Sequence, residues 1–250
     1  MPVMLLAVRP SSCDSRAWTL SSQQEQRAAA SPVTKTARFG SAPEPLRLEP
    51  LDAREPPTFV MRGGPHGPGK MVFIHGMCGH ALGYAQSFQW SAAKYGVLIA
   101  PQGDVPCAPG SPWAKWSGDT NALDARIVSA FQELGQPVPL EDVALIGYSQ
   151  GASRAEALAR KWPKRYTRLI LIAGPSKVSP YGLGVRSALM MAGSLDRQDL
   201  MQASARAFAA AGRRARYMAL PDARHGSMGS HPEQSMNEAL KWLFDDAAQR

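Results

Sequence analysis

The stretch from Asp142 to Trp162, DVALIGYSQGASRAEALARKW, constrains the fold more than any other part of the chain. Val143, Ala144, Leu145 and Ile146 form a short apolar run, the pattern of a strand buried on both faces. Ala152 to Trp162 are good helix formers, and Pro163 ends them. Leu158 and Trp162 are four apart and share one helix face. Gly147-Tyr148-Ser149-Gln150-Gly151 is therefore a sharp turn from strand into helix, and its two glycines remove the Cβ atoms that would obstruct it. Such a turn strains the serine backbone and lifts the hydroxyl clear of the sheet. It also sets Ser149 at a helix N-terminus, where free N–H groups favour negative charge. A serine nucleophile needs this placement. The pattern G-x-S-x-G alone is weak in a chain with 22 glycines and as many serines. The strand before it and the helix after it carry the inference.

Strands and helices alternate from about Leu46 onward. LRLEPLD, TFVMRG, KMVFIHG and VLIAP read as the first four strands, with a helix over ALGYAQSFQWSAAKYG closed by Gly96. A long loop, QGDVPCAPGSPWAKWSG, leads to an amphipathic helix. Leu123, Ile127, Ala130, Phe131 and Leu134 line its stripe, Asp119 or Thr120 caps it, and Gly135 stops it. After the serine segment come strands RLILIAG and ALMMAG, helix DLMQASARAFAAAG, strand ARYMAL and a C-terminal helix SMNEALKWLFDDA. This alternation implies a mostly parallel eight-stranded sheet with helices on both faces, three layers in all. Residues 46–250 are read as one catalytic domain.

The first 45 residues differ. They are polar, poor in large apolar side chains and without a clear period, and are expected to be disordered or cleaved. VMLLAV has no basic residue before it and meets Arg9 at once, a poor secretory signal. The Ser- and Arg-rich, acid-poor composition is also that of an organelle transit peptide. A soluble protein, cytoplasmic rather than exported, is the expectation. No apolar run approaches the roughly 20 residues of a membrane span. The net charge of +8 comes from scattered residues, as in RKWPKR and GRRARY, with no interleaved aromatics to stack bases, so no nucleic-acid partner is expected. Cys13, Cys78 and Cys107 form no C-x-x-C pair, and the histidines form no H-E-x-x-H, so no metal and no cofactor are expected. Cys78 and Cys107 follow two neighbouring strands. A bridge between them would suit an exported protein, and two separate thiols are the expectation.

In open α/β sheets ligands bind beyond the carboxyl ends of the strands. HGMCGH follows the third strand, Ser149 the fifth, SLDRQD the seventh and PDARHGSMG the last. A serine hydroxyl needs a general base in reach, and the base needs an orienting acid. His225 is the expected base and Asp196 the expected acid, with His231 and Asp199 as their alternatives. Asp222 is too close to His225 along the loop to orient it.

The order Ser149, Asp196, His225, with GYSQG, the His-Gly after the third strand and the late His-Gly, resembles the α/β-hydrolase fold family from about Leu46 to the C-terminus. The resemblance implies a serine hydrolase acting on a small carboxylic ester. Its oxyanion hole would use the backbone N–H groups of Gln150 and Met77, with Cys78 if the loop is shifted by one. HGMCG departs from the longer HGGG form, which argues against substrates that rely on the longer glycine loop, such as tertiary-alcohol esters. Only PSKVSPYGLGVRS separates the sixth and seventh strands, too little for a lid domain. The site should be open, walled by that segment with Tyr181, by the loop with Cys78, and by Trp113 and Trp116, which either bind substrate or pack beneath a Pro-rich loop. The lidless form is similar to the dienelactone-hydrolase, carboxylesterase and polyhydroxybutyrate-depolymerase-like branch. A peptidase, a thioesterase or an inactive binding protein would share the same pattern.

Overall fold

We describe the protein from a computed structural model, which covers residues 47–51, 55–63 and 69–245. The segment 1–45, and with it Cys13, lies outside the described residues.

Among the described residues, ten strands and six α-helices follow one another in the order expected of alternating elements. The main sheet contains β1 (Glu49–Pro50), β2 (Thr58–Met61), β3 (Gly69–Ile74), β4 (Gly96–Pro101), β7 (Val143–Tyr148), β8 (Tyr166–Ile172), β9 (Ser187–Gly193) and β10 (Arg214–Leu220). Between β4 and β7 a small antiparallel pair, β5 (Val105–Pro106) and β6 (Ala114–Lys115), lies in what the sequence presents as a plain loop. The main sheet runs in the order β1-β2-β4-β3-β7-β8-β9-β10. Strand β2 is antiparallel to both its neighbours, and every pair from β4 to β10 is parallel.

Period-two alternation sends successive side chains to opposite faces. Val72, Ile74, Val143, Leu145, Leu169 and Leu171 pack on one face against α3 (Thr120–Glu133), α4 (Gln150–Lys161) and α5 (Asp199–Ala210). Met71, Phe73, Ala144, Ile146, Ile170 and Ile172 pack on the other against α1 (Ala81–Ala85), α2 (Gln89–Tyr95) and α6 (Pro232–Phe244). The central strands are buried on both faces, which is why they read as unbroken apolar runs.

Three expectations need revision. The helix over 81–96 is broken: α1 gives way to a 3₁₀ turn at Gln86–Phe88 before α2. Phe88 leaves helical geometry with φ −138°, and the first N–H groups of α2 are met from another helix. Trp90 N and Ser91 N donate to the Glu233 carboxylate of α6 at 2.8 and 2.9 Å, so a distant carboxylate acts as the missing cap. The first strand is only two residues long within the described part. The C-terminal helix starts at Pro232, earlier than the sequence pattern suggests, with proline in its first turn.

The order of connections locates a crevice. From β3 the chain moves outward to β4, then returns to place β7 on the other side of β3. This is a topological switch point, where the loops leaving β3 and β7 part and leave room for a ligand. The connection from Ile172 to Ser187 contains no helix, so it builds no lid domain over the crevice.

Candidate active site

The loop after β7 makes the sharp turn that its glycines permit. Ser149 has φ 52° and ψ −115°, a conformation most L-residues avoid, and is the N-cap of α4. Two contacts explain the glycines. A Cβ on Gly151 would lie 1.9 Å from the Ile74 carbonyl oxygen, and one on Gly147 2.5 Å from the Gly151 carbonyl oxygen. The first turn of α4 thus rests directly on the end of β3, and Ser149 N donates to Ile172 O at 2.8 Å.

Three side chains from three loops meet there. Ser149 Oγ lies 3.0 Å from His225 Nε2, and His225 Nδ1 lies 2.9 Å from Asp196 Oδ2. With the carboxylate as acceptor, Nδ1 carries the proton and Nε2 faces the serine hydroxyl as acceptor. Asp196 is fixed in turn: its Oδ1 accepts from Arg197 N at 2.7 Å, and its own N–H donates to Gly193 O at 3.1 Å. His225 remains 54% exposed, so its ring is open to solvent. The alternatives sit elsewhere. Asp199 pairs with Arg197, Asp222 accepts from Ser230 Oγ at 3.0 Å, and His231 occupies the N-cap position of α6.

The β3 loop closes the other side. Gly76 and Gly79 form a tight turn, Gly79 N to Gly76 O at 3.1 Å, with Met77 and Cys78 at its tip. His75, before the turn, is a structural histidine. Its Nδ1 donates to Gly76 O at 2.7 Å and its Nε2 accepts from Gly103 N at 2.8 Å. Burial lowers its pKa to about 4, so the ring is neutral near pH 7. Gln150 is the first residue of α4, so its N–H has no acceptor inside the helix.

Together these loops line a cleft of about 340 Å³ that includes Met77, His80, Tyr84, Trp113, Tyr148, Ser149 and His225. Trp113 is 51% exposed at its rim, as the mouth of a site requires. Trp116 is not at the mouth. It is only 5% exposed, and its Nε1 donates to His75 O at 2.8 Å, so it packs beneath the loop. Tyr181 is 79% exposed and is not among the residues of the cleft. Cys78 does line the cleft, but not as a thiol. It is bonded to Cys107, which corrects the expectation of two separate thiols. The two Cα atoms are 5.7 Å apart, within bridging range, because β5 and β6 fold the intervening loop back over the turn.

Two residues the sequence reading passed over hold the histidine loop. Gly226 N donates to Tyr148 Oη at 2.6 Å, and Tyr84 Oη donates to Gly226 O at 3.1 Å. The two tyrosine rings are stacked, with centroids 4.6 Å apart. Burial pushes the Tyr148 hydroxyl up to about 12, so it stays protonated. Among the described residues, no group of three or more His, Cys, Asp or Glu side chains is placed to hold a metal ion. Among them, too, no helix is long and apolar enough to cross a membrane.

No protein-family model matches the sequence, and no curated protein matches it. Solved structures do. A putative lipase from Acinetobacter baumannii is similar with a TM-score of 0.61 and 10% identity, over 82% of this chain and 93% of that one. The chain has the α/β-hydrolase fold. The Staphylococcus aureus fluorophosphonate-binding serine hydrolase FphF is similar with a TM-score of 0.58 and 12% identity, over 76% of this chain and 92% of that one. The carboxylesterase of Bacillus cereus is similar with a TM-score of 0.55 and 15% identity, over 74% and 93%. At such identities the likeness is one of fold, and activity in an α/β-hydrolase has to be argued from its site.

Proposed function

We propose that the protein is a serine hydrolase of carboxylic esters. The observation that carries this reading is the hydrogen-bonded chain Ser149–His225–Asp196, at 3.0 and 2.9 Å, on a strained turn at a helix N-terminus. His225 takes the proton from Ser149 Oγ as the oxygen attacks the ester carbonyl. The carbonyl electrons move to the oxyanion, which the backbone N–H groups of Met77 and Gln150 receive. Preorganised donors of this kind are worth about 2.7–4 kcal/mol each in comparable sites. His225 then protonates the leaving alcohol, and the acyl group stays on Ser149. Water, deprotonated by His225, attacks that acyl-enzyme; the bond from the acyl carbon to Ser149 Oγ breaks, His225 returns its proton to Oγ, and the carboxylic acid leaves. Asp196 holds the ring in the tautomer both halves need. No cofactor enters these steps.

The cleft favours a neutral substrate. Apart from the imidazoles of His80 and His225, its lining has no Asp, Glu, Lys or Arg side chain, and Tyr84, Trp113 and Tyr148 give it aromatic walls. The lidless connection supports the carboxylesterase-like branch of the fold. The Cys78–Cys107 bond favours an oxidising compartment, against the cytoplasmic placement expected from the sequence.

The test is hydrolysis of p-nitrophenyl esters, acetate through decanoate, by wild type and Ser149→Ala. Turnover that disappears in the variant, with covalent fluorophosphonate labelling confined to Ser149, is the expected result. Folded wild type that neither turns over any ester nor takes the label refutes the reading.

A further inference from the structure

The oxyanion-side loop has an unusual anchor. Met77 is 63% exposed, so its side chain contributes little packing that would fix the direction of its N–H. The loop must be fixed by its neighbours. On one side His75 is locked by two ring hydrogen bonds, to Gly76 O and from Gly103 N. On the other side stands Cys78, a non-glycine residue at φ 49°, in the left-handed region that costs an L-residue of order 1 kcal/mol or more. What holds Cys78 there is the β5–β6 hairpin. The hairpin grips it through the bond to Cys107, through Ala114 N donating to Gly79 O at 3.0 Å, and through Cys107 N donating to Trp113 O at 2.9 Å, which closes the hairpin itself. The disulfide is the only covalent member of this clamp.

We infer that Cys78 and Cys107 are positioning residues: their disulfide aims the Met77 N–H at the oxyanion, and its reduction lowers the rate of the acylation step. This rests on the hydrolase reading above. Cys78 is exposed and Cys107 half-buried, so a small dithiol reaches the bond. Exposed disulfides are the reducible ones. In the reduction one dithiol gives two electrons and two protons to the Cys78–Cys107 sulfur pair. The S–S bond breaks, two protein thiols form, and the dithiol closes to its own cyclic disulfide. The hairpin then keeps only its hydrogen bonds to the turn, and Cys78 is released to relax toward an ordinary backbone conformation.

The experiment compares oxidised protein, protein reduced with dithiothreitol, reoxidised protein, and the Cys107→Ser and Cys78→Ser variants. Four quantities are read: kcat, KM, the rate of fluorophosphonate labelling at Ser149, and the near-ultraviolet circular dichroism of the folded core. Full loss of one oxyanion donor lowers kcat about 10²–10³-fold. A donor that is present but loosely aimed should lose roughly tenfold on that scale, with KM within about twofold. Labelling should slow in parallel, reoxidation should restore wild type but neither variant, and dithiothreitol should leave the variants unchanged. Reduced protein or variants with wild-type kcat overturn the inference. A fall in kcat that only tracks loss of the folded signal does the same, because that is a stability effect. Oxidised protein that neither hydrolyses esters nor labels overturns the hydrolase reading, and this inference with it.

Discussion

Replacing Tyr148 by phenylalanine removes one oxygen atom from the residue before Ser149, and the structure says what that atom does. Tyr148 Oη accepts from Gly226 N at 2.6 Å, and Gly226 follows the candidate base directly. The ring keeps its place in the variant, because Tyr148 is buried and stacked on Tyr84 at 4.6 Å, contacts that phenylalanine retains. What is lost is the partner of one partly buried N–H, a cost of about 1–3 kcal/mol. The His225 ring is exposed, so the loop can relieve that cost by shifting the N–H toward water, which moves His225 off Ser149. At about 1.36 kcal/mol per tenfold, a penalty of 1–2 kcal/mol on the competent geometry lowers kcat about 5- to 30-fold. Stability should change little, because the loss falls on a loop. Since the hydroxyl stays protonated up to about pH 12, the deficit should be the same from pH 6 to 9. The assay is kcat and KM on p-nitrophenyl acetate across that range, with thermal melts of both proteins. A kcat within about twofold of wild type at unchanged Tm would refute the claim that this bond holds the base.

Two further outcomes are expected. His75 is buried with its pKa lowered from 6.5 to about 4, so the unfolded chain binds the extra proton first. Stability is therefore full above about pH 6.5 and falls as pH drops toward 4, by on the order of 3 kcal/mol. His80 acts in the same direction, whereas Asp104 and Asp142, held below their ordinary value, lose their contribution only under more acid conditions. Urea unfolding of wild type and His75→Asn at pH 7.5 and 4.5 checks this, and equal pH slopes in the two proteins would contradict it. Gly151→Ala drives a Cβ to 1.9 Å from the Ile74 carbonyl oxygen, so it should melt well below wild type, by several kcal/mol or by failing to fold. Gly83→Ala, in α1 with nothing within 4 Å of its Cβ, should melt at or slightly above wild type. Equal melting of the two variants would show that α4 does not rest on β3 as described.

The legible part of this molecule is whatever a local run of residues decides. VALI, LILI and ALMM are apolar without alternation, so they declare strands covered on both faces, and the glycines around Ser149 declare the turn. The places of Ser149, Asp196 and His225 follow from the same rule, since each lies just beyond the end of a strand. The illegible part depends on distances between elements. Trp113 and Trp116 are alike in sequence, and the short β6 strand between them gives one to the cleft and the other to the space under His75. Cys78 and Cys107 are 29 residues apart, and no local pattern brings them together. Glu233 caps α2 from another helix, so the break at Phe88 has no counterpart in the residues around it. Tyr148 stood inside the quoted motif, yet its partner Gly226 is 78 residues away.

The bare connection between β8 and β9 has a consequence for the fate of the acyl group. On the hydrolase reading, no element among the described residues closes over Ser149 while it is acylated, and the exposed His225 can hand a proton to or from whatever diffuses in. Water has no privileged access there except by its abundance. On that reading the acyl group should be shared between water and a small added alcohol in proportion to their concentrations and intrinsic nucleophilicities, so the transfer product should rise linearly with added alcohol. A covered site would set that ratio by the shape of its enclosure; this one leaves it to the solvent.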